Sequence, residues 1–478
     1  MENFSDFSVW GWMMLFAILL GSLLAGNVLK RAIPILKASL IPTSVLGGAI
    51  LLIVEAIYKA ITGVVMFDTE LFGGSGTASL EVITYHALAL GFIAATLKTT
   101  EGKLTKKRSE EIFNSGVTTV ATYLLQGAFG LIITIIAASI IAGFFPAAGV
   151  LLPFGFGQGS GQALNYGNIY EKDFGFDGGR SFGLTIAALG FISAALGGVF
   201  HLILMKRCGK LKKSGLIDRP LYHDEIESKN EIPMQESMDK MTEQIAYVTL
   251  AYLLTYFVMR GLAALLPGMT SLIYGFNFLI GVLMATAVKG CMNGLRKAGL
   301  MRRKHTNNFL LTRTSNFFFD LMIVSGVAAI RLDILENYWG LMIILGVVGL
   351  VITYAYTRFV AKTLFKEYSE EQFLATYGML TGTASTGIIL LREVDPDFKT
   401  PAADNLVYQN FPAIVFGLPL MFLATFAPKH PVICLIIFIA FFAVLNVILF
   451  RRWIFRGFFK KREAKNLTSE EKENVTEE

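Results

Sequence analysis

Stretches of about 20 apolar residues recur from one end of this chain to the other, and each is long enough, at about 1.5 Å per residue, to cross about 30 Å of hydrocarbon. Backbone N–H and C=O groups find no water in lipid, so such stretches satisfy themselves as helices. Eleven can be placed: Val9–Leu29, Leu40–Tyr58, Ala78–Leu97, Phe113–Ala142, Phe182–Met205, Ile245–Leu266, Ser271–Val288, Phe309–Ile330, Trp339–Phe359, Leu406–Phe426 and Val432–Phe455. Only 16% of the 478 residues are charged, against roughly 25% in soluble domains. An all-α polytopic membrane protein is expected.

The net charge of +6 does not indicate a nucleic-acid partner, because the basic residues sit in short loops between apolar stretches, where they set orientation. Basic loops such as Lys103–Arg108 and Arg296–Lys304 alternate with loops poor in Lys and Arg, such as Val64–Gly76 and Pro267–Thr270. Positive loops stay in the cytoplasm. The N-terminus is therefore expected outside and the C-terminus inside. The first stretch follows Glu2 and Asp6 and ends at Lys30 and Arg31, the reverse of a secretory signal, and is expected to remain as a span. Cys208, Cys291 and Cys434 have neither metal-ligand spacing nor a disulfide pattern.

The alternation of loops closes only if two glycine-rich segments, PFGFGQGSGQALNYG (Pro153–Gly167) and YGMLTGTASTGIILLR (Tyr377–Arg392), enter the membrane and return on the same side. Irregular backbone at that depth survives only against protein or a watery cavity, so these breaks mark a candidate transport site. Each follows the fourth stretch of its half and precedes the fifth, at a shift of about 220 residues. One half begins outside and the other inside. The expected fold is thus two inverted five-span repeats, each with a re-entrant or discontinuous hairpin, plus an extra C-terminal transmembrane helix. The expected division is a first repeat over 1–205, a cytoplasmic linker over 206–243, a second repeat over 244–430, the extra helix over 431–456 and a cytoplasmic tail over 457–478. The basic start of that tail suits contact with anionic membrane lipid.

Gln158, Ser160, Gln162 and Asn165 in the first break, and Thr381, Thr383, Ser385 and Thr386 in the second, offer neutral donors and acceptors around Gly159, Gly161 and Gly382. Short helices meeting at such breaks aim N-terminal N–H groups at an anion while unwound carbonyls face a cation. A hard cation such as Na⁺ wants oxygen ligands, which makes Ser160, Thr383 and Ser385 candidate Na⁺ ligands. Asp320, a charge inside a span, is the fourth. Small residues also serve close helix packing, and a buried Asp also serves inter-helix hydrogen bonding. Asp173 and Asp395 follow the two breaks at similar positions, either guarding a cation's approach or capping loops. The first break resembles a dinucleotide-binding glycine run only superficially, since a span rather than a strand precedes it. Neither break has a nucleophile set, a metal-ligand pair or a phosphate loop beside it, so no enzyme activity and no cofactor are expected beyond the co-transported ion.

The segment MLTGTASTGIILLREVDPDFKTPAADNLV (Met379–Val407) resembles the sodium/glutamate symporter family, and GFGQGSGQA in the first break resembles that family's partner motif. The resemblance runs from about Val9 to about Phe426 and leaves the linker and the last span uncovered. It implies Na⁺-coupled import of glutamate by a homodimer in the plasma (cell inner) membrane, by an elevator motion that carries the site across a fixed scaffold. It places Gln158–Gly161 and Thr381–Thr386 around substrate and ions. A transporter of aspartate, a dicarboxylate or a hydroxycarboxylate is the nearest alternative. An ion channel is more distant, because a filter repeats identical elements about one axis.

Overall fold

The computed structural model describes residues 6–34, 36, 41–98, 105–208, 239–300, 305–333, 338–395 and 399–454, and their regular elements are helices with no β-sheet. In the first half α1 (Phe7–Ala32), α2 (Thr43–Thr62), α3 (Gly76–Leu97) and α4 (Lys106–Ile140) are followed by two short helices, α5 (Leu151–Gln158) and α6 (Ser160–Phe174), and by α7 (Gly179–Arg207). In the second half come α8 (Lys240–Leu265), the short α9 (Thr270–Gly275), α10 (Asn277–Lys297), α11 (Asn308–Ala328) and α12 (Trp339–Leu364). Then follow α13 (Ser369–Leu380), α14 (Ala384–Arg392), α15 (Ala402–Tyr408), α16 (Asn410–Phe426) and α17 (Pro431–Leu449).

Local chemistry sets several helix ends apart from the apolar windows. The Thr105 hydroxyl accepts from the Arg108 N–H, so α4 starts at Lys106 rather than at Phe113. Asp239 accepts from Met241 and Thr242, which starts α8 at Lys240, inside the stretch expected as linker. Residues 209–238 of that linker and the tail 457–478 lie outside the described residues. The expected span Leu406–Phe426 is not one helix. It bends by 50° between α15 and α16, where Pro412 has no N–H to continue the ladder.

Nine helices among the described residues are long and apolar enough to cross a membrane, and α15 with α16 supplies a tenth. The eleventh expected crossing, Phe309–Ile330, forms α11, a 21-residue helix made more polar by Arg313, Asn316 and Asp320. It tolerates them because α2 and α3 pack along it and its second half, Leu321 to Ala328, is buried. α3 and α7 are central, with 56% of their apolar windows buried, whereas α1, α8 and α17 bury 22%. The outer helices turn Leu24, Val28, Leu265 and Ile436 outward, an apolar surface that membrane lipid covers.

Two bundles result. α1, α2, α3, α8, α10 and α11 pack together, as do α4 to α7 with α12 to α17. The bundles meet where α6 lies against α3 and α11. In the second bundle α17 runs along α4, burying Cys434, Phe438, Leu445 and Leu449. Tyr356 of α12 donates to Asn446 Oδ1 at 3.0 Å, and Arg451, just beyond α17, reaches back to Glu110 Oε1 at 2.8 Å.

Candidate functional site

Gly159 alone separates α5 from α6, with φ +82°, a backbone that glycine adopts without the strain a side chain brings. Thr381, Gly382 and Thr383 separate α13 from α14. The two breaks touch: a Cβ built on Gly159 would lie 3.4 Å from Thr383 Cγ2 and 3.7 Å from Gly382 O.

Four helix ends therefore converge, and they are satisfied unequally. The C-terminal carbonyls of α5 and α13 are served by α4, where Tyr123 OH donates to Gly157 O at 3.1 Å. One turn further on, the buried Gln126 Nε2 donates to Leu380 O and to Thr353 Oγ1 of α12, each at 2.9 Å. Thr381 O lies against α7 at Gly190, where a Cβ would come within 2.7 Å of it. The N-terminal ends of α6 and α14 have no side-chain cap. Their first helical bonds run from Ala163 N to Gly159 O and from Gly387 N to Thr383 O, so the N–H groups of Ser160 to Gln162 and of Ala384 to Thr386 have no partner within their helices. Each such end carries about half a positive charge. One carbonyl at each C-terminal end has a side-chain donor while the N-terminal ends carry no side-chain cap, an arrangement that suits an anion.

The sequence-derived candidates divide around this contact. Ser160 is buried and donates weakly to Met322 O of α11 at 3.4 Å, and Gly161 packs on Leu88 of α3. Gln158 closes α5, half-buried. Thr383 is half-buried, its hydroxyl 3.4 Å from that of the buried Thr386, and Ser385 stands in the first turn of α14. Gly382 is held close, with Thr386 Oγ1 2.9 Å from where its Cβ would be. Thr381 turns away, donating to Tyr377 O of its own helix at 2.7 Å.

Two candidates are not brought to the contact. Asn165 lies further along α6 and donates to Gln162 Oε1 at 3.0 Å and to Gly275 O at 3.2 Å. Asp320 precedes Met322 by two residues, about 200° around the helix, and lies against Ser44 of α2. Asp395 serves its own loop, accepting from Lys399 N at 2.9 Å and from Thr400 N at 2.8 Å. Tyr123, Gln126 and Met322 were not singled out from the sequence. A glutamine inside an apolar span is a signal that would have found Gln126.

Fold and site together define a multi-span, all-α membrane protein. No protein-family model matches the chain, and no curated protein does.

Proposed function

We propose that the protein is a secondary transporter that imports glutamate with Na⁺ across the plasma membrane, N-terminus outside and C-terminus cytoplasmic, as a homodimer. The observation that carries this reading is the contact between the two breaks, with the N-terminal ends of α6 and α14 free of side-chain caps and Gly157 O of α5 and Leu380 O of α13 bonded by Tyr123 and Gln126. Such ends hold a carboxylate without a fixed cation that would trap it. Ser160 and Thr383 are the oxygens assigned to Na⁺ there; the Ser385 side chain, the remaining candidate on these breaks, lies outside the described residues. Each net charge moved inward gains about 2.3 kcal/mol per 100 mV, before the concentration gradient is counted.

Inverted five-span repeats are supported by matching neighbours. α1 packs on α2 as α8 packs on α10, and α2 packs on α11 as α10 packs on α3. Likewise α4 meets α5 as α12 meets α13, and α7 meets α12 as α16 meets α4. The second bundle carries both breaks, which suits an elevator in which it slides along the first.

Uptake of labelled glutamate into proteoliposomes tests the reading. Accumulation that requires an inward Na⁺ gradient and saturates is expected. Flux that neither saturates nor needs the gradient would mean a channel. Stronger competition by unlabelled aspartate, a dicarboxylate or a hydroxycarboxylate than by glutamate would move the substrate to that acid.

A further inference from the structure

A cavity of about 360 Å³ lies between α6, α3 and α9, at the small end of the roughly 300–1,000 Å³ typical of small-molecule sites. Its wall toward the breaks is Asn165, which donates to Gln162 Oε1 at 3.0 Å. Gln162 is 1% exposed, and its amide NH₂ has no acceptor among the described residues. A buried donor left without a partner is costly; Gln162 is bonded to Asn165 but is not itself part of the cavity wall.

The rim carries charge of both signs. Lys172 and Asp173 both line the cavity, but as successive helix residues they point about 100° apart and do not face each other. Neither makes an ion pair or hydrogen bond among the described residues. Their neighbours do: Arg180 binds Glu81 Oε2 at 2.5 Å through Nη1 and Glu171 Oε1 at 2.9 Å through Nε, tying α3 to α6 and α7. That cluster sets two carboxylates against one guanidinium, and Lys172 lies within electrostatic reach of Glu81. Lys172 and Asp173 line the cavity beside the Tyr85 phenol, which donates to Tyr274 O at 2.7 Å.

We propose that this cavity is an outer capture site for the zwitterionic head of an α-amino acid. Lys172 receives a carboxylate, Asp173 receives the ammonium, and Asn165 and Gln162 form the polar path to the two breaks. Charges of both signs on one rim favour an amino acid over a plain carboxylic acid. The proposal rests on the transporter reading above.

Labelling of Thr270→Cys by a thiol reagent in detergent solution, with Cys208 and Cys291 replaced by Ser, tests it. Glutamate at ten times its dissociation constant is expected to slow labelling about tenfold, and to do so equally when Gly382→Val blocks the breaks. Glutarate, which lacks the ammonium, protects weakly. Lys172→Met and Asp173→Asn remove protection without changing the unprotected rate. Labelling indifferent to glutamate, or equal protection by glutarate, overturns the capture site. Uptake without protection sinks this inference alone, protection without uptake sinks the transport reading alone, and the absence of both sinks the two together.

Discussion

A side chain at position 159 meets two obstacles at once: a φ of +82°, which costs a non-glycine residue about 1–3 kcal/mol, and Thr383 across the contact. Gly159→Val and Gly382→Val are therefore expected to abolish glutamate uptake while the protein still inserts and elutes as a single species, and wild-type uptake by both would remove these glycines from the site. Gln126→Leu strips the donor from Leu380 O and Thr353. A buried carbonyl left unpaired costs about 1–3 kcal/mol, so the melting temperature in detergent should fall; an unchanged melt would show that Gln126 does not hold the second break. The glycines were legible because they alternate with polar residues in otherwise apolar sequence. Gln126 carried a signal, a polar residue inside an apolar span, but that it and Tyr123 face the breaks did not show, because which side of a long helix faces a break is decided by residues far away along the chain. Asp320 was legible as a charge inside a span, yet nothing local to it points to Ser44.

At the scale of elements, α6 hangs from α16 by two buried phenols one turn apart. Tyr166 OH donates to Met421 O at 3.0 Å and Tyr170 OH to Ala424 O at 2.7 Å. Each bond is worth about 0.5–1.5 kcal/mol. Tyr166→Phe with Tyr170→Phe should lower the melting temperature and leave glutamate binding intact; loss of binding at unchanged stability would place these phenols in the site instead. Between α15 and α16, Gln409 Oε1 accepts from Ser115 Oγ at 2.7 Å and from Thr119 Oγ1 at 3.1 Å, fixing the start of α16 to α4. Hydropathy located the helices well because burial in lipid demands length and apolarity. It placed their ends less well, since Thr105, Asp239 and Pro412 act through one or two local hydrogen bonds gained or lost.

For the molecule as a whole, the second bundle is knit at one end by Glu370 of α13. It receives Arg358 of α12, Nη2 to Oε1 at 2.7 Å, and meets His201 of α7, Nε2 to Oε2 at 2.9 Å. Burial pushes the Glu370 carboxyl up, but the Arg358 and His201 hydrogen bonds outweigh it and hold it at about 2, below its ordinary 4.5. A depressed carboxylate stabilises the fold above its unfolded pKa and loses that contribution as pH falls toward its folded one. The stability gap between wild type and Glu370→Gln should accordingly narrow from about pH 5 to about pH 3; a constant gap would mean that the charge is not what joins these helices.

The position of α17 has a consequence for how the chain is made. α4 leaves the ribosome early and clamps both breaks, yet the flank that receives Phe438, and the Glu110 carboxylate that receives Arg451, wait until nearly all the other helices have been synthesised. The frame around the two breaks is thus closed by a segment translated after both of them, and a message cut short before Pro431 is expected to yield a protein with both broken helices in place and the apolar flank of α4 bared.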